Sequence, residues 1–188
     1  VSFCEEHDIY INFLYAPGTY ILKGTPIANI SSAQPLTDEQ WKYLTSFVDI
    51  FDLQNNIATT PYLGCRHLAG VSIKALSPGI NDPGTAIISL NCLGNLLAYR
   101  VCHHPKTQFA DEHNTHRITV KEYSFKDFFT GTLYPVWDYG KNDRMLQNSL
   151  HALLVQLIAL NSGNTNLHLI QHLLNDVTAA IQVQQHLN

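Results

Sequence analysis

Between residues 75 and 86 the chain reads ALSPGINDPGTA, two prolines and two glycines set around Ser77, Asn81, Asp82 and Thr85. Polar side chains and unpaired backbone N–H groups at the start of a helix can form a pocket for a small ligand. Asp82 constrains that ligand. Its charge already occupies the positive end of the helix dipole, so a polyol, an amide or a cation suits the site better than a phosphate unless Arg66 or Lys74 compensates. Arg66 and His67 complete the candidate set. Arg66 could orient a polar substrate, with His67 or Asp82 as general base. The competing account of the same residues is a structural corner in which Asp82 caps a helix, Gly79 takes a positive φ and Asn81 bonds its own backbone.

Other chemistries find less support. There is no G-x-S-x-G elbow, no P-loop and no G-x-G-x-x-G. Cys65 adjoins Arg66 and His67 in sequence only, because neighbouring positions on a helix point about 100° apart. Ten histidines invite a metal reading: His168 and His172 stand four apart with Asp176 beyond them, and His113 and His116 lie near His103, His104, Asp111 and Glu112. Neither group has an HExxH glutamate or paired cysteines, so both are read as surface histidines and no metal site is expected.

The elements that must position these residues follow from periodicity and punctuation. Ile9 to Ile30 is β-branched and aromatic, broken at Pro17-Gly18 and at Lys23-Gly24-Thr25-Pro26, which predicts short strands joined by turns. Residues 31–35 read as a polar linker, and Thr37-x-x-Gln40 as a capping box opening a helix through Phe47. Thr60-Pro61 starts a helix to Leu76, and Asp82-Pro83 starts a second whose Ala86, Leu90, Leu93, Leu97 and Val101 form one apolar stripe. Residues 103–116 read as an exposed turn and 117–123 as a short strand. Ser124-x-x-Asp127 caps a helix with Phe125, Phe129, Leu133 and Val136 on one side, kinked at Pro135 and ended at Gly140. Leu146, Leu150, Leu153, Leu157 and Leu160, closed by Gly163, form one seam and Leu167, Ile170, Leu174, Val177 and Ile181 the next, which predicts an antiparallel hairpin whose stripes face each other or a common core.

Composition bounds the function. With 188 residues a core can form without disulfides. The formal net charge is −4 and there is no basic block, which argues against a nucleic-acid partner. Only 14% of residues are charged, against about 25% in an average domain. A surface so short of charge often meets another, and Gln171, Gln182, Gln184 and Gln185 could bond across an interface, so a homo-oligomer is expected. Cys4, Cys65, Cys92 and Cys102 form no C-x-x-C pair and are read as buried free thiols, in keeping with a reducing compartment. The longest apolar run, Ala152 to Leu160, is too short to span a bilayer.

ALSPGINDPGTA, preceded by Gly64-x-Arg66-His67-Leu68 and followed by the leucine-striped helix, resembles the signature of the family called domain of unknown function 2254, described as predicted membrane proteins. The order of parts is similar throughout: the β segment Glu6 to Ile30, the arginine-bearing helix, the corner, and a helical region containing Ser124-Phe125 and Tyr139-Gly140. The resemblance implies membrane helices ahead of Val1 and attachment to the cell membrane, with this region expected to face the cytoplasm. One departure is that relatives show an Arg-Thr pair and an acidic residue where this chain has Asn55-Asn56-Ile57 and Thr59-Thr60. The stretch from Ala16 to Ile30 is also similar to half of a biotinyl or lipoyl domain. Lys23 sits beside Gly24 in a turn, though, and not at the hairpin tip where the cofactor-bearing lysine belongs, so no cofactor is expected.

These readings predict an α+β fold, mostly α-helical, with a small N-terminal β unit over residues 1–32 packed on a bundle of five or six helices in residues 33–188. The function expected first is a regulatory or sensory domain of a membrane protein, binding a small polar ligand or a partner through Arg66, His67, Ser77, Asn81, Asp82 and Thr85. The alternatives are an enzyme using Asp82 or His67 as base, and a structural assembly module.

Overall fold

The computed structural model describes residues 1–50, 60–161 and 166–186. Gly163 and the segment of the Asn55-Asn56-Ile57 departure lie outside the described residues. The fold is α+β and mostly helical, as the sequence predicts, and divides into two compact units: residues 1–60 with 105–122, and residues 61–104 with 123–188.

The first unit is built on β1 (Ile9–Phe13) and β2 (Ala28–Ser32), an antiparallel pair in which Ile11 faces Ile30. Alternation puts Ile9 and Ile11 inward and leaves Tyr10 and Asn12 exposed. A short helix α1 (Ser2–Glu6) precedes them and buries Cys4, while α2 (Asp38–Thr45) follows. At Thr37 the capping box is present in both directions: Gln40 N–H donates to Thr37 Oγ1 at 3.3 Å and Thr37 N–H to Gln40 Oε1 at 2.9 Å. The helix ends two residues short of the expected Phe47.

The stretch read as an exposed turn supplies a strand, β3 (Gln108–Ala110), the short strand expected after it forms as β4 (His116–Thr119), and the sheet order is β2-β1-β4-β3. β1 and β4 are parallel, with Ile11 beside Ile118. An ion network explains why so polar a loop orders. Asp111, whose side chain has no accessible surface, accepts from His113 N–H at 3.0 Å, Thr115 N–H at 2.8 Å and Arg117 Nε at 2.7 Å. Arg117 also reaches Asp8 at 2.5 Å and lies over the Tyr10 ring. The bond from Arg117 holds the Asp111 carboxyl below its ordinary range, and both acids push Arg117 up.

The second unit contains α3 (Pro61–Ala75), α4 (Pro83–Cys102), α5 (Phe125–Gly140), α6 (Arg144–Leu160) and α7 (Leu167–His186). Each stripe read from the sequence meets the core. Ala86, Leu90, Leu93, Leu97 and Val101 of α4 are buried, as are Phe125, Phe129, Leu133 and Val136 of α5. The Ser124 box is complete with Asp127, Asp143 caps α6, and α5 continues through Pro135. Bonds from Arg144 to the Gln184 carbonyl and from Gln184 to the Asn142 carbonyl join the start of α6 to the end of α7, so the hairpin is antiparallel. Its seam is turned slightly from the expected one. Leu154 and Leu173 are fully buried, Leu153 and Leu174 are half-buried against the core, and Leu160 is exposed, because a stripe of strict 3,4 spacing drifts around a 3.6-residue helix.

Candidate functional site

The corner at residues 75–86 is built from the α3 terminus outward. Ser77 carbonyl accepts from the N–H groups of Ile80 at 2.9 Å and Asn81 at 2.8 Å, and Asp82 N–H returns to Ala75 carbonyl at 2.8 Å. Asn81, and not Gly79, takes the left-handed conformation, with φ of 48°. The turn closes on Ser77 first and reverses only at Asn81, a residue type that tolerates that region.

Asp82 is the helix cap that the sequence implies. Its Oδ1 accepts from Thr85 N–H at 3.0 Å, and its Oδ2 from Thr85 Oγ1 at 2.5 Å. The Thr85 hydroxyl, then the backbone bonds, hold the carboxyl below its ordinary range, which makes Asp82 a weak proton acceptor. Ser77 Oγ donates to Lys74 carbonyl at 2.7 Å. Ser77, Asp82 and Thr85 thus satisfy one another or the backbone.

Arg66 and His67 do not join this group. They lie on the outward face of α3, and about 14 Å of helix axis separates Arg66 from Ala75. There they line a shallow groove of about 410 Å³ with Leu63, Gly70, Val71 and Lys74. These positions recur at three and four residues, which places them on one side of a helix. No acidic residue occurs in α3, and among the described residues neither Arg66 nor Lys74 has an ion-pair partner. The six candidates therefore fall into two sets, a corner that is internally bonded and a cationic groove that is not. Lys74, weighed at the outset only as compensation, belongs to the groove.

Two serines that the sequence did not single out fix α3 against α4. Buried Ser72 donates to Ala86 carbonyl at 3.0 Å, and Ser89 to Leu68 carbonyl at 2.7 Å. Small hydroxyls where two helices approach closely were the available signal.

Cys65 is buried, and desolvation pushes its thiol up, the reverse of an activated nucleophile. All four cysteines are free; Cys92 and Cys102 are exposed, which corrects the expectation that they are buried, because they sit on the outer side of α4. His172 pairs with Asp176 at 3.4 Å and His113 with Glu5 at 3.6 Å. Among the described residues no three His, Cys, Asp or Glu side chains converge on a common point.

The first unit has its own cavity, about 210 Å³, between the β1–β2 surface and α2, lined by Ile11, Phe13, Ile30, Trp41, Leu44 and Val48 among others. Its one hydroxyl, on Thr45, donates to the Trp41 and Lys42 carbonyls of its own helix. Among the described residues α4 alone is long and apolar enough to cross a membrane by length and composition. Its leucine stripe is nevertheless packed on α3, α5 and α6.

No curated protein and no solved structure matches the chain. The family described as "Predicted membrane protein (DUF2254)" matches residues 1–156, a stretch holding the first sheet, the cationic groove and the capped corner. The chain belongs to that family of predicted membrane proteins.

Proposed function

We propose that this chain is the extramembrane regulatory or sensory region of a membrane protein, and that it recognises a small polar ligand bearing negative charge on the outer face of α3. The observation that carries the reading is the uncompensated pair Arg66 and Lys74, exposed on one helix face with His67 between them and no acid in α3. Such a pair can hold a phosphate or carboxylate group by charge-assisted hydrogen bonds, away from the Asp82 carboxylate. Leu63 and Val71 give the groove an apolar floor for the rest of the ligand. The corner at residues 75–86 is the joint that sets α3 on α4, and Asn81, exposed at its tip, is the corner residue best placed to touch a ligand. Four free thiols support a cytoplasmic face.

Thermal unfolding with pyrophosphate as the probe tests the reading, since a ligand that binds only the folded state raises the midpoint. The wild-type chain is expected to gain stability with pyrophosphate concentration, and Arg66→Gln/Lys74→Gln to lose that gain while keeping its ligand-free midpoint. An equal gain in both proteins overturns the assignment.

A further inference from the structure

The outer face of α4 carries exposed apolar side chains. Ile88 is 67% exposed, Leu96 44% and Tyr99 64%, and Cys92 is exposed between them. The other exposed side chains on this side are Thr85, Asn91, Asn95 and Cys102. None carries a charge. The helix's one charged residue, Arg100, is turned away, donating to the Tyr123 carbonyl and lying 5.1 Å from the centre of the Phe128 ring.

We infer that this face is an interface between two copies of the chain, paired antiparallel about a two-fold axis at Cys92. Two features select a second copy over other occupants. The first is self-complementarity. A two-fold contact sets the same patch against itself, so any charge near the axis would meet its like, and this face has none. Ile88 and Leu96 each stand four residues from Cys92, about 6 Å along the axis in opposite directions. A two-fold at Cys92 sets Ile88 against the partner's Leu96, and likewise brings Thr85 to the partner's Tyr99. His103 stacks on Tyr99 at 4.1 Å and 10°, and its Nδ1 donates to the Tyr99 carbonyl at 2.9 Å, so the tyrosine is held for such a contact.

The second feature is the pair of amides. Asn91 and Asn95 flank the apolar line, and each amide is both donor and acceptor, so identical groups can bond across the axis. Facing lipid, the same amides would be stranded without partners, at a cost of several kcal/mol on a hydrocarbon scale. The proposal is independent of the α3 groove, which lies on another helix.

Sedimentation equilibrium of the 188-residue chain, together with a short bis-maleimide cross-linker in a Cys102→Ser background, tests it. The expected result is reversible association to twice the 21.1 kDa monomer mass. A covalent dimer should form through Cys92 and disappear in Cys92→Ser. Ile88→Lys/Leu96→Lys should weaken association by about a hundredfold, since it places like charges opposite one another, with circular dichroism unchanged. A chain that stays monomeric at all concentrations overturns the interface. So does a dimer that survives the lysine variant and gives no cross-link through Cys92.

Discussion

Two glycines of the helical unit offer the same substitution in different surroundings. Gly140, the last residue of α5, has no room beside it: an added Cβ would stand well inside contact distance of Leu146 Cδ2 and 2.8 Å from Leu76 Cδ1. Leu146 is fully buried and cannot swing away. Overpacking of this kind costs about 1–3 kcal/mol. The gain from replacing glycine by alanine in a helix is at most about 1 kcal/mol and smaller at a terminus, so Gly140→Ala should destabilise by about 1–2 kcal/mol. At Gly94 the added Cβ meets chiefly the far end of Leu153, which is only half-buried and can rotate. Gly94→Ala should therefore fall within about 1 kcal/mol of the parent, the propensity gain offsetting the displacement. The assay is urea unfolding in a Trp41→Phe background, where buried Trp137 of α5 is the sole tryptophan and reports this unit alone. A Gly140→Ala chain as stable as its parent would refute the packing of the α5–α6 corner.

Three further outcomes follow from caps and charges. Ser124→Ala removes the hydroxyl half of the α5 capping box, the bond that Ser124 Oγ accepts from Asp127 N–H, and should cost about 0.5–2 kcal/mol, read from the same Trp137 transition. Asp82→Ala should lower the thermal midpoint by freeing Thr85 N–H, whereas a midpoint unchanged within error would count against the corner as a joint. Acid should weaken the first unit through Asp111. Its carboxyl is depressed in the folded state, so the folded chain binds fewer protons than the unfolded one in that range. Its contribution is complete above the ordinary carboxylate range, about pH 4, and is lost as pH falls through that range toward the depressed native value. Unfolding midpoints followed at Trp41 over a pH series should show a shallower acid slope in Asp111→Asn than in the parent; equal slopes would contradict the network.

What could be read from the sequence was whatever depends on neighbours within a turn or two. The Thr37, Asp82 and Ser124 caps and the α4 stripe are local patterns, and each forms as the residues require. The parallel pairing of β1 with β4 was not legible, because it joins segments about a hundred residues apart and hangs on Arg117 reaching Asp8. Asn81 and Gly79 could each have supplied the positive φ, and only the order in which the turn closes decides between them. At the site, nearness along the chain misled. Arg66 and Asp82 belong to one continuous motif, yet a helix spends its length between them and hands Arg66 to a different surface, beside Lys74.

The central claim is that recognition belongs to the α3 groove and that the capped corner serves as its joint. A ¹H–¹⁵N NMR titration of the chain with pyrophosphate addresses this residue by residue. The account predicts saturating shifts centred on Arg66, His67, Gly70 and Lys74, with Asn81 moving less and Thr85 still protected by its bonds to Asp82. Shifts centred on Asn81, Asp82 and Thr85, with Arg66 and Lys74 unmoved, would contradict it.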